Sequence, residues 1–299
     1  MSARPGAADV SARPGAAGRL RTTLSMIKFS HTLFALPFAL LSAFLAAGGW
    51  PRLSTLVKIV LAMVGARSAA MAHNRLADRR IDAENPRTAS RALPSGALSV
   101  AYVRLFLLAS VALFFAAAAS LNRLTLWLSP VALALLLTYA YTKRVTVLSH
   151  LVLGLCLALA PVGAWIAVTG SIDRLPILLG LAVLFWTAGF DVIYALQDEQ
   201  FDRRMGLESI PARFGARRAL ALSTFFHVLM VALLLLVWRL SGGGWIFLAG
   251  ICATVLALFY QHAIVKPEDL SRVDAAFFTA NGFVSVVLAA CGITEVLSR

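Results

Sequence analysis

The stretch from Leu53 to Asp82, LSTLVKIVLAMVGARSAAMAHNRLADRRID, joins a long apolar segment to a group of polar and acidic residues. The apolar part has the length of about 20 residues that a helix needs to cross the hydrocarbon core of a bilayer. Asn74, Asp78 and Asp82 then follow at intervals of four residues. On a helix this spacing projects the three side chains from nearly one stripe, so we predict a membrane-spanning helix with an oxygen-rich end.

A second stretch repeats this arrangement. An apolar segment at residues 175–195 carries Asp191 near its end, and Asp198 and Asp202 follow, again four residues apart. Counted with Glu84 and Glu208, which follow shortly after, these two regions hold eight of the fourteen Asp and Glu residues of the chain. Carboxylates concentrated at membrane edges need cations, and the pattern favours a divalent metal, Mg²⁺, bound together with a phosphorylated ligand.

The composition indicates a polytopic membrane protein. Of the 299 residues, 60% are hydrophobic and only 14% are charged, whereas about 25% of the residues of a soluble domain are charged. We predict an all-α fold with one membrane domain at residues 25–299, after a disordered cytoplasmic tail at residues 1–24 that repeats Ser-Ala-Arg-Pro-Gly-Ala-Ala. The nine candidate spans lie at about 28–47, 53–73, 100–120, 124–141, 147–168, 175–195, 219–240, 244–263 and 275–296.

The basic residues predict the orientation. Most of the 27 Lys and Arg residues fall in the N-terminal segment and in the loops that follow the even-numbered spans. The positive-inside rule then places the N-terminus and both acidic groups on the cytoplasmic side of the membrane. Because topology and anionic lipid account for the net charge of +13, this charge does not indicate binding of nucleic acid.

Several further side chains are candidates for the same site. Arg67 lies inside the second span, seven residues before Asn74 and therefore on the same stripe. An intramembrane Arg suggests pairing with a carboxylate, either of a substrate or of the protein itself. Tyr194 adds a hydroxyl group beside the second acidic group. Three basic residues could hold phosphate oxygens or could serve topology alone, namely Lys28, Arg91 and Lys143.

At these residues the chain resembles the UbiA family of intramembrane prenyltransferases. The segment from Asn74 to Asp82 followed by Asn85-Pro-Arg-Thr resembles the first signature of the family, and the segment from Asp191 to Asp202 resembles the second. Three further segments match, namely Arg91-Ala-Leu-Pro-Ser-Gly, Tyr139-Ala-Tyr-Thr-Lys143-Arg and Gly206-Leu-Glu-Ser-Ile-Pro-Ala-Arg-Phe-Gly. The resemblance covers about residues 25–296.

The resemblance implies a bundle of nine transmembrane helices around a central cavity, with cap loops on the cytoplasmic side. It implies Mg²⁺-dependent transfer of a polyprenyl group from polyprenyl diphosphate to an aromatic acid acceptor. The roles it implies are Mg²⁺-diphosphate binding by Asp78, Asp82, Asp198 and Asp202 with Asn74 and Asp191 beside them, diphosphate contacts from Arg91 and Lys143, and acceptor binding by Arg67.

Within the family, the chain is most similar to the 4-hydroxybenzoate polyprenyltransferases of ubiquinone biosynthesis, which predicts an enzyme of the inner membrane. The prenyltransferase of the futalosine menaquinone route, which acts on a naphthoate, also fits, because residues 27–32 resemble that set. An ion-coupled transporter is the alternative from another class. Transporters bind their ions near the midplane of the membrane, whereas these acidic groups lie at its edge.

Overall fold

The computed structural model describes residues 16–27 and 32–299, and their long elements are all α-helices. The only β pairing among these residues is an isolated bridge between Lys266 and Asp269. The helices are α1 Ala16–Met26, α2 Thr32–Ala47, α3 Leu53–Ala77, α4 Arg79–Glu84, α5 Val100–Leu121, α6 Arg123–Thr142, α7 Ser149–Thr169, α8 Arg174–Ala195, α9 Glu199–Met205, α10 Ile210–Leu240, α11 Trp245–Ile264 and α12 Val273–Leu297.

The all-α membrane architecture is confirmed. Eight helices in the described part of the chain are long and apolar enough to cross a membrane. The ninth predicted span corresponds to α2, which is apolar but has 16 residues; the predicted start of this span, residues 28–31, lies outside the described residues. Helix α10 begins at Ile210, well before the predicted position 219, because Ser209 caps it by accepting a hydrogen bond from the backbone N–H of Ala212 at 3.3 Å.

Helix α8 occupies the middle of the bundle and packs against α7 and α10. Trp186 on this helix is fully buried and contacts Phe34 and Phe38 of α2 and Phe190 one turn further along α8. Small residues allow the close approach of neighbouring helices, since a Cβ atom at Gly154 of α7 would overlap the backbone of α8. The packing therefore fixes the helix whose end carries the second acidic group.

The N-terminal segment contains a helix that packs against the membrane domain. Helix α1 begins at Ala16, within the stretch predicted to be a disordered tail. The hydroxyl group of Thr23 lies 3.0 Å from that of Tyr102 on α5, and the side chain of Met26 is buried against Leu93. Residues 1–15 lie outside the described residues, so their disorder stays a prediction.

Candidate active site

The first acidic group spans a break between two helices. Helix α3 ends at Ala77, and Asp78, with φ −91° and ψ 5°, joins it to the short helix α4. Hydrogen bonds of the helical type continue across the break, from the N–H of Asp78 to the carbonyl of Asn74 at 2.9 Å and from the N–H of Asp82 to the carbonyl of Asp78 at 2.7 Å. Both carboxylates are buried, although the helix that carries them is interrupted.

Asp78 is neutralised by the residues that follow helix α6. Its carboxylate lies 3.2 Å from Nζ of Lys143 and 2.9 Å from Nη2 of Arg144. Arg144 also donates to the carbonyl of Ala77 at 2.8 Å, which anchors the end of α3. The structure thus brings the predicted site residue Lys143 to the first acidic group, with Arg144 beside it.

Asp82 is held between two arginines. Its carboxylate accepts a hydrogen bond of 2.7 Å from Nη1 of Arg91 and one of 3.5 Å from Nη1 of Arg75. The hydroxyl group of Thr88 donates to the backbone carbonyl of Asp82 at 2.9 Å and ties the following loop to α4. Buried carboxylates need such partners, because removal from water penalises an unpaired charge.

The second acidic group lies against this loop. Helix α8 ends at Ala195, and a 3₁₀ turn at Leu196–Asp198 leads into α9. The carboxylate of Asp198 accepts hydrogen bonds from Nδ2 of Asn85 at 3.1 Å and from Nε of Arg87 at 2.9 Å, and it also contacts Nη2 of Arg87. The loop after α4 therefore joins the two acidic groups at one end of the bundle.

Arg87 is the central cation of this junction. Besides Asp198, its guanidinium group donates to the hydroxyl group of Tyr194 at 3.2 Å and lies 5.4 Å from the centre of the Tyr194 ring. Burial alone would lower the pKa of Arg87, but the hydrogen bonds and the charge of Asp198 raise it above its usual value. Tyr194, a predicted site residue, thus lies beside the second acidic group, and Arg87 joins it there although the spacing of the acids did not point to Arg87.

Asp191 has a partner that the sequence did not indicate. Its Oδ2 lies 2.7 Å from Nδ1 of His150, the second residue of α7. Nε2 of His150 accepts a hydrogen bond of 3.3 Å from the backbone N–H of Ile210. Asp202 lies on α9 beside Ser209, the residue that caps α10. The start of α10 is therefore tied to both Asp191 and Asp202.

A cavity of about 350 Å³ extends from Asn74 through the space between α3, α5, α6 and α7. Its walls are mostly apolar, and Arg67 and Asn74 are among its few polar lining residues. The Oδ1 atom of Asn74 is buried and has no hydrogen-bond partner among the described residues. As predicted, Arg67 and Asn74 face the same space. Lys28, a further predicted site residue, lies outside the described residues.

Comparison with known proteins establishes the family. The chain matches the UbiA prenyltransferase family over residues 35–285 and belongs to it; it is a membrane prenyltransferase. The 4-hydroxybenzoate octaprenyltransferase of Yersinia enterocolitica is 33% identical over 266 residues, which is 88% of each chain. The predicted resemblance is thereby confirmed, and the alternative of a transporter is set aside because the family is enzymatic.

Solved structures have the same fold. The apo structure of a UbiA homolog from Aeropyrum pernix K1 superposes with a TM-score of 0.81 at 38% identity, covering 89% of this chain and 98% of that one. A UbiA homolog from Archaeoglobus fulgidus, bound to DMAPP and Mg²⁺, superposes with a TM-score of 0.73 at 24% identity, covering 93% and 99% of the two chains. The all-helical bundle is therefore the fold of this family.

Proposed function

We propose that this chain transfers a polyprenyl group from polyprenyl diphosphate to a hydroxylated aromatic carboxylate, with 4-hydroxybenzoate as the acceptor. The main observation in support is the junction at one end of the bundle. There, Asn85 and Arg87 in the loop that follows Asp82 donate hydrogen bonds to the carboxylate of Asp198. The cavity includes Asn74, which lies one helical turn before Asp78 of the first acidic group. The name of the Yersinia enterocolitica relative, which describes this reaction, supports the same acceptor.

The side chains at the junction fit Mg²⁺. The buried, unpartnered Oδ1 of Asn74 and the four carboxylates are hard oxygen donors, which this ion prefers. Among the described residues, no group of three His, Cys, Asp or Glu side chains is close enough to hold one ion. Mg²⁺ is commonly held by one or two carboxylates together with substrate phosphates, and Asp78, Asp82, Asp198 and Asp202, with Asn74 and Asp191, would contribute in this way. When bound, the metal neutralises the charge that develops on the departing diphosphate.

The basic residues have a second role in this proposal. In the structure, Lys143, Arg91 and Arg87 neutralise the carboxylates of Asp78, Asp82 and Asp198. When a diphosphate binds, the same ammonium and guanidinium groups can donate to its oxygens. Lys28, just before α2, is a further candidate for this contact. Each of these three carboxylates therefore has a cationic partner before a diphosphate binds.

The cavity accommodates the organic parts of the reaction. Its apolar walls bury the prenyl chain and keep water away from the allylic cation that forms when the carbon–oxygen bond to diphosphate breaks. Arg67 on the wall would bind the carboxylate of the acceptor in bidentate fashion. The ring carbon ortho to the acceptor hydroxyl then attacks the cation, and this carbon loses its proton. The product, which carries a long apolar chain, leaves into the lipid.

We place the enzyme in the inner membrane with its N-terminus and active-site loops in the cytoplasm. The support is the excess of Lys and Arg in the N-terminal segment and in the loops after α3, α6 and α9. A single cysteine introduced at Arg79, an exposed residue on α4, should react with an impermeant thiol reagent in inverted vesicles and stay protected in intact cells.

The acceptor is tested by incubating membranes with radiolabelled polyprenyl diphosphate, Mg²⁺ and either 4-hydroxybenzoate or a dihydroxynaphthoate. The proposal predicts a labelled lipid-soluble product with 4-hydroxybenzoate. A product with the naphthoate alone would instead assign the chain to the menaquinone route, for which residues 27–32 are the sequence evidence. Absence of product with both acceptors, from protein that is folded and inserted, would contradict the proposal.

A further inference from the structure

A second cavity, of about 330 Å³, lies between helix α1 and the loop that joins α4 to α5. It shares no lining residue with the cavity that begins at Asn74. Three arginines from three different segments line it, namely Arg21 of α1, Arg75 of α3 and Arg91 of the loop. Its other polar lining residues all carry a hydroxyl group, namely Thr22, Ser25, Ser90 and Ser95.

This cavity has an excess of positive charge. In the described part of the chain, the only carboxylate paired with its arginines is that of Asp82, which Arg75 and Arg91 share. Arg21 forms no ion pair with a carboxylate among the described residues. Three arginines and one carboxylate give the lining of this cavity a net positive charge, which favours an anion.

The hydrogen bonds of Arg75 also favour an anion in this cavity. A guanidinium group carries five N–H donors, and the side chain of Arg75 is 8% exposed. Yet the one side-chain hydrogen bond found for it in the described part of the chain is the long contact of 3.5 Å with Asp82. No nitrogen of Arg75 is both buried and without a partner in the described part of the chain, so its remaining N–H groups are accessible. The cavity that Arg75 lines is a space in which a ligand can place acceptor oxygens for them.

We propose that this cavity is a second oxyanion site, which binds a phosphate or diphosphate group through Arg21, Arg75 and Arg91. Two sources carry this chemistry, namely free inorganic diphosphate and the headgroup of an anionic phospholipid. Free diphosphate is the source that the geometry favours. Arg75 and Arg91 contact Asp82 of the acidic group, so a diphosphate released at that group would meet the same two guanidinium groups on its way to the cytoplasm. The binding itself does not depend on the prenyl transfer proposed above.

The test measures binding of ³²P-labelled inorganic diphosphate to the purified chain in neutral detergent, in the presence of EDTA and without prenyl donor. EDTA removes any diphosphate binding at the active site that depends on a metal. Removing one charge-assisted contact should weaken the binding about tenfold, so we expect this loss in Arg21→Gln. Arg19→Gln is the matched control, since Arg19 lies on the same helix but does not line the cavity.

A second arm distinguishes the two sources. If a lipid headgroup is the occupant, native mass spectrometry from micelles containing phosphatidylglycerol should show a lipid that the wild type retains and Arg21→Gln loses. In that case, diphosphate would not bind to the chain in lipid-free detergent. Either result supports an oxyanion site and identifies its source. The proposal is overturned if binding of diphosphate and binding of phosphatidylglycerol are both unchanged in Arg21→Gln. That result would not contradict the proposed prenyl transfer.

Discussion

His150 Nδ1 and Asp191 Oδ2 lie 2.7 Å apart, and this hydrogen bond joins the start of α7 to the end of α8. Nε2 of the same imidazole accepts the backbone N–H of Ile210 at 3.3 Å, so Nε2 carries no proton and Nδ1 is the donor to Asp191. This fixes both the tautomer of His150 and the direction of the Asp191 carboxylate. His150 is thus a positioning residue for the second acidic group.

Replacing His150 tests this role. Loss of a side chain that orients a metal-site carboxylate typically costs 10–100-fold in activity or metal affinity, so we expect such a loss of prenyl transfer in His150→Ala. His150→Asn should recover part of it, because an Asn amide can donate from the place of Nδ1. The Mg²⁺ concentration at half-maximal activity should rise in His150→Ala and return towards the wild-type value in His150→Asn. If the Mg²⁺ concentration at half-maximal activity were equal in His150→Ala and His150→Asn, the role of His150 would be packing alone.

Arg67 should determine binding of the acceptor. Arg67→Lys keeps the charge but loses the planar pair of donors that matches a carboxylate, so we expect the KM for 4-hydroxybenzoate to rise about tenfold or more. The KM for the prenyl donor should change much less, because its diphosphate group binds at the acidic residues and Arg67 lies about 10 Å along α3 from Asn74 by helical rise. Steady-state kinetics with each substrate varied in turn separate the two effects. A rise confined to the donor KM would contradict the assignment.

The cavity should bind the prenyl chain. Ala62 lines it on α3, further from the acidic groups than Arg67, and Ala62→Phe would fill part of its length. Transfer from a long polyprenyl diphosphate should fall severalfold, whereas transfer from geranyl diphosphate should be retained. Ala112→Phe on α5 is the control, because Ala112 is exposed on the outside of the bundle. If Ala62→Phe left the preference for chain length unchanged, the prenyl chain would have to lie elsewhere.

Gly154 should be required for the packing of α7 on α8. A Cβ atom at this position would overlap the carbonyl oxygen of Leu184, a backbone atom that cannot move without its helix. Overpacking of this kind costs about 1–3 kcal/mol, so Gly154→Ala should lower the thermal unfolding temperature in detergent. Gly282→Ala is the matched control, since no atom lies within 4 Å of its Cβ position. An unfolding temperature of Gly154→Ala equal to that of the control would contradict this close packing.

The spans and the positions of the acids follow from the sequence because both are local properties. A run of apolar residues of sufficient length forms a helix in a membrane, and the carboxylates can only lie where such a run ends. The interruptions at Asp78 and after Ala195 were not predicted, since a spacing of four residues suits a continuous helix equally well. The early start of α10 was missed for another reason, because its first turns contain several arginines and are separated from the apolar span by a break at Gly215, whose φ of 78° and ψ of 164° are not helical.

The partners of the acids could not be predicted, because they depend on the packing of helices that are far apart in the chain. Arg87 contacts Asp198 across 111 residues, and His150 contacts Asp191 across 41 residues. No periodic pattern within one segment of the sequence predicts these pairs. The sequence did single out Lys143 and Arg91 as phosphate-binding candidates, and the structure places both against carboxylates of the first acidic group.

The most direct test of the account is Mg²⁺-dependent binding of a non-reactive thio-analogue of a polyprenyl diphosphate to the purified chain. We expect tight binding with Mg²⁺, and affinity at least about tenfold weaker in EDTA, in Asp78→Asn and in Asp198→Asn. The double variant should lose little more than either single one, because the two acidic groups act as one unit. Asp269→Asn, in the loop before α12, is the control and should bind as the wild type does. Wild-type affinity in Asp78→Asn or in Asp198→Asn would contradict the claim that both acidic groups hold one metal–diphosphate complex.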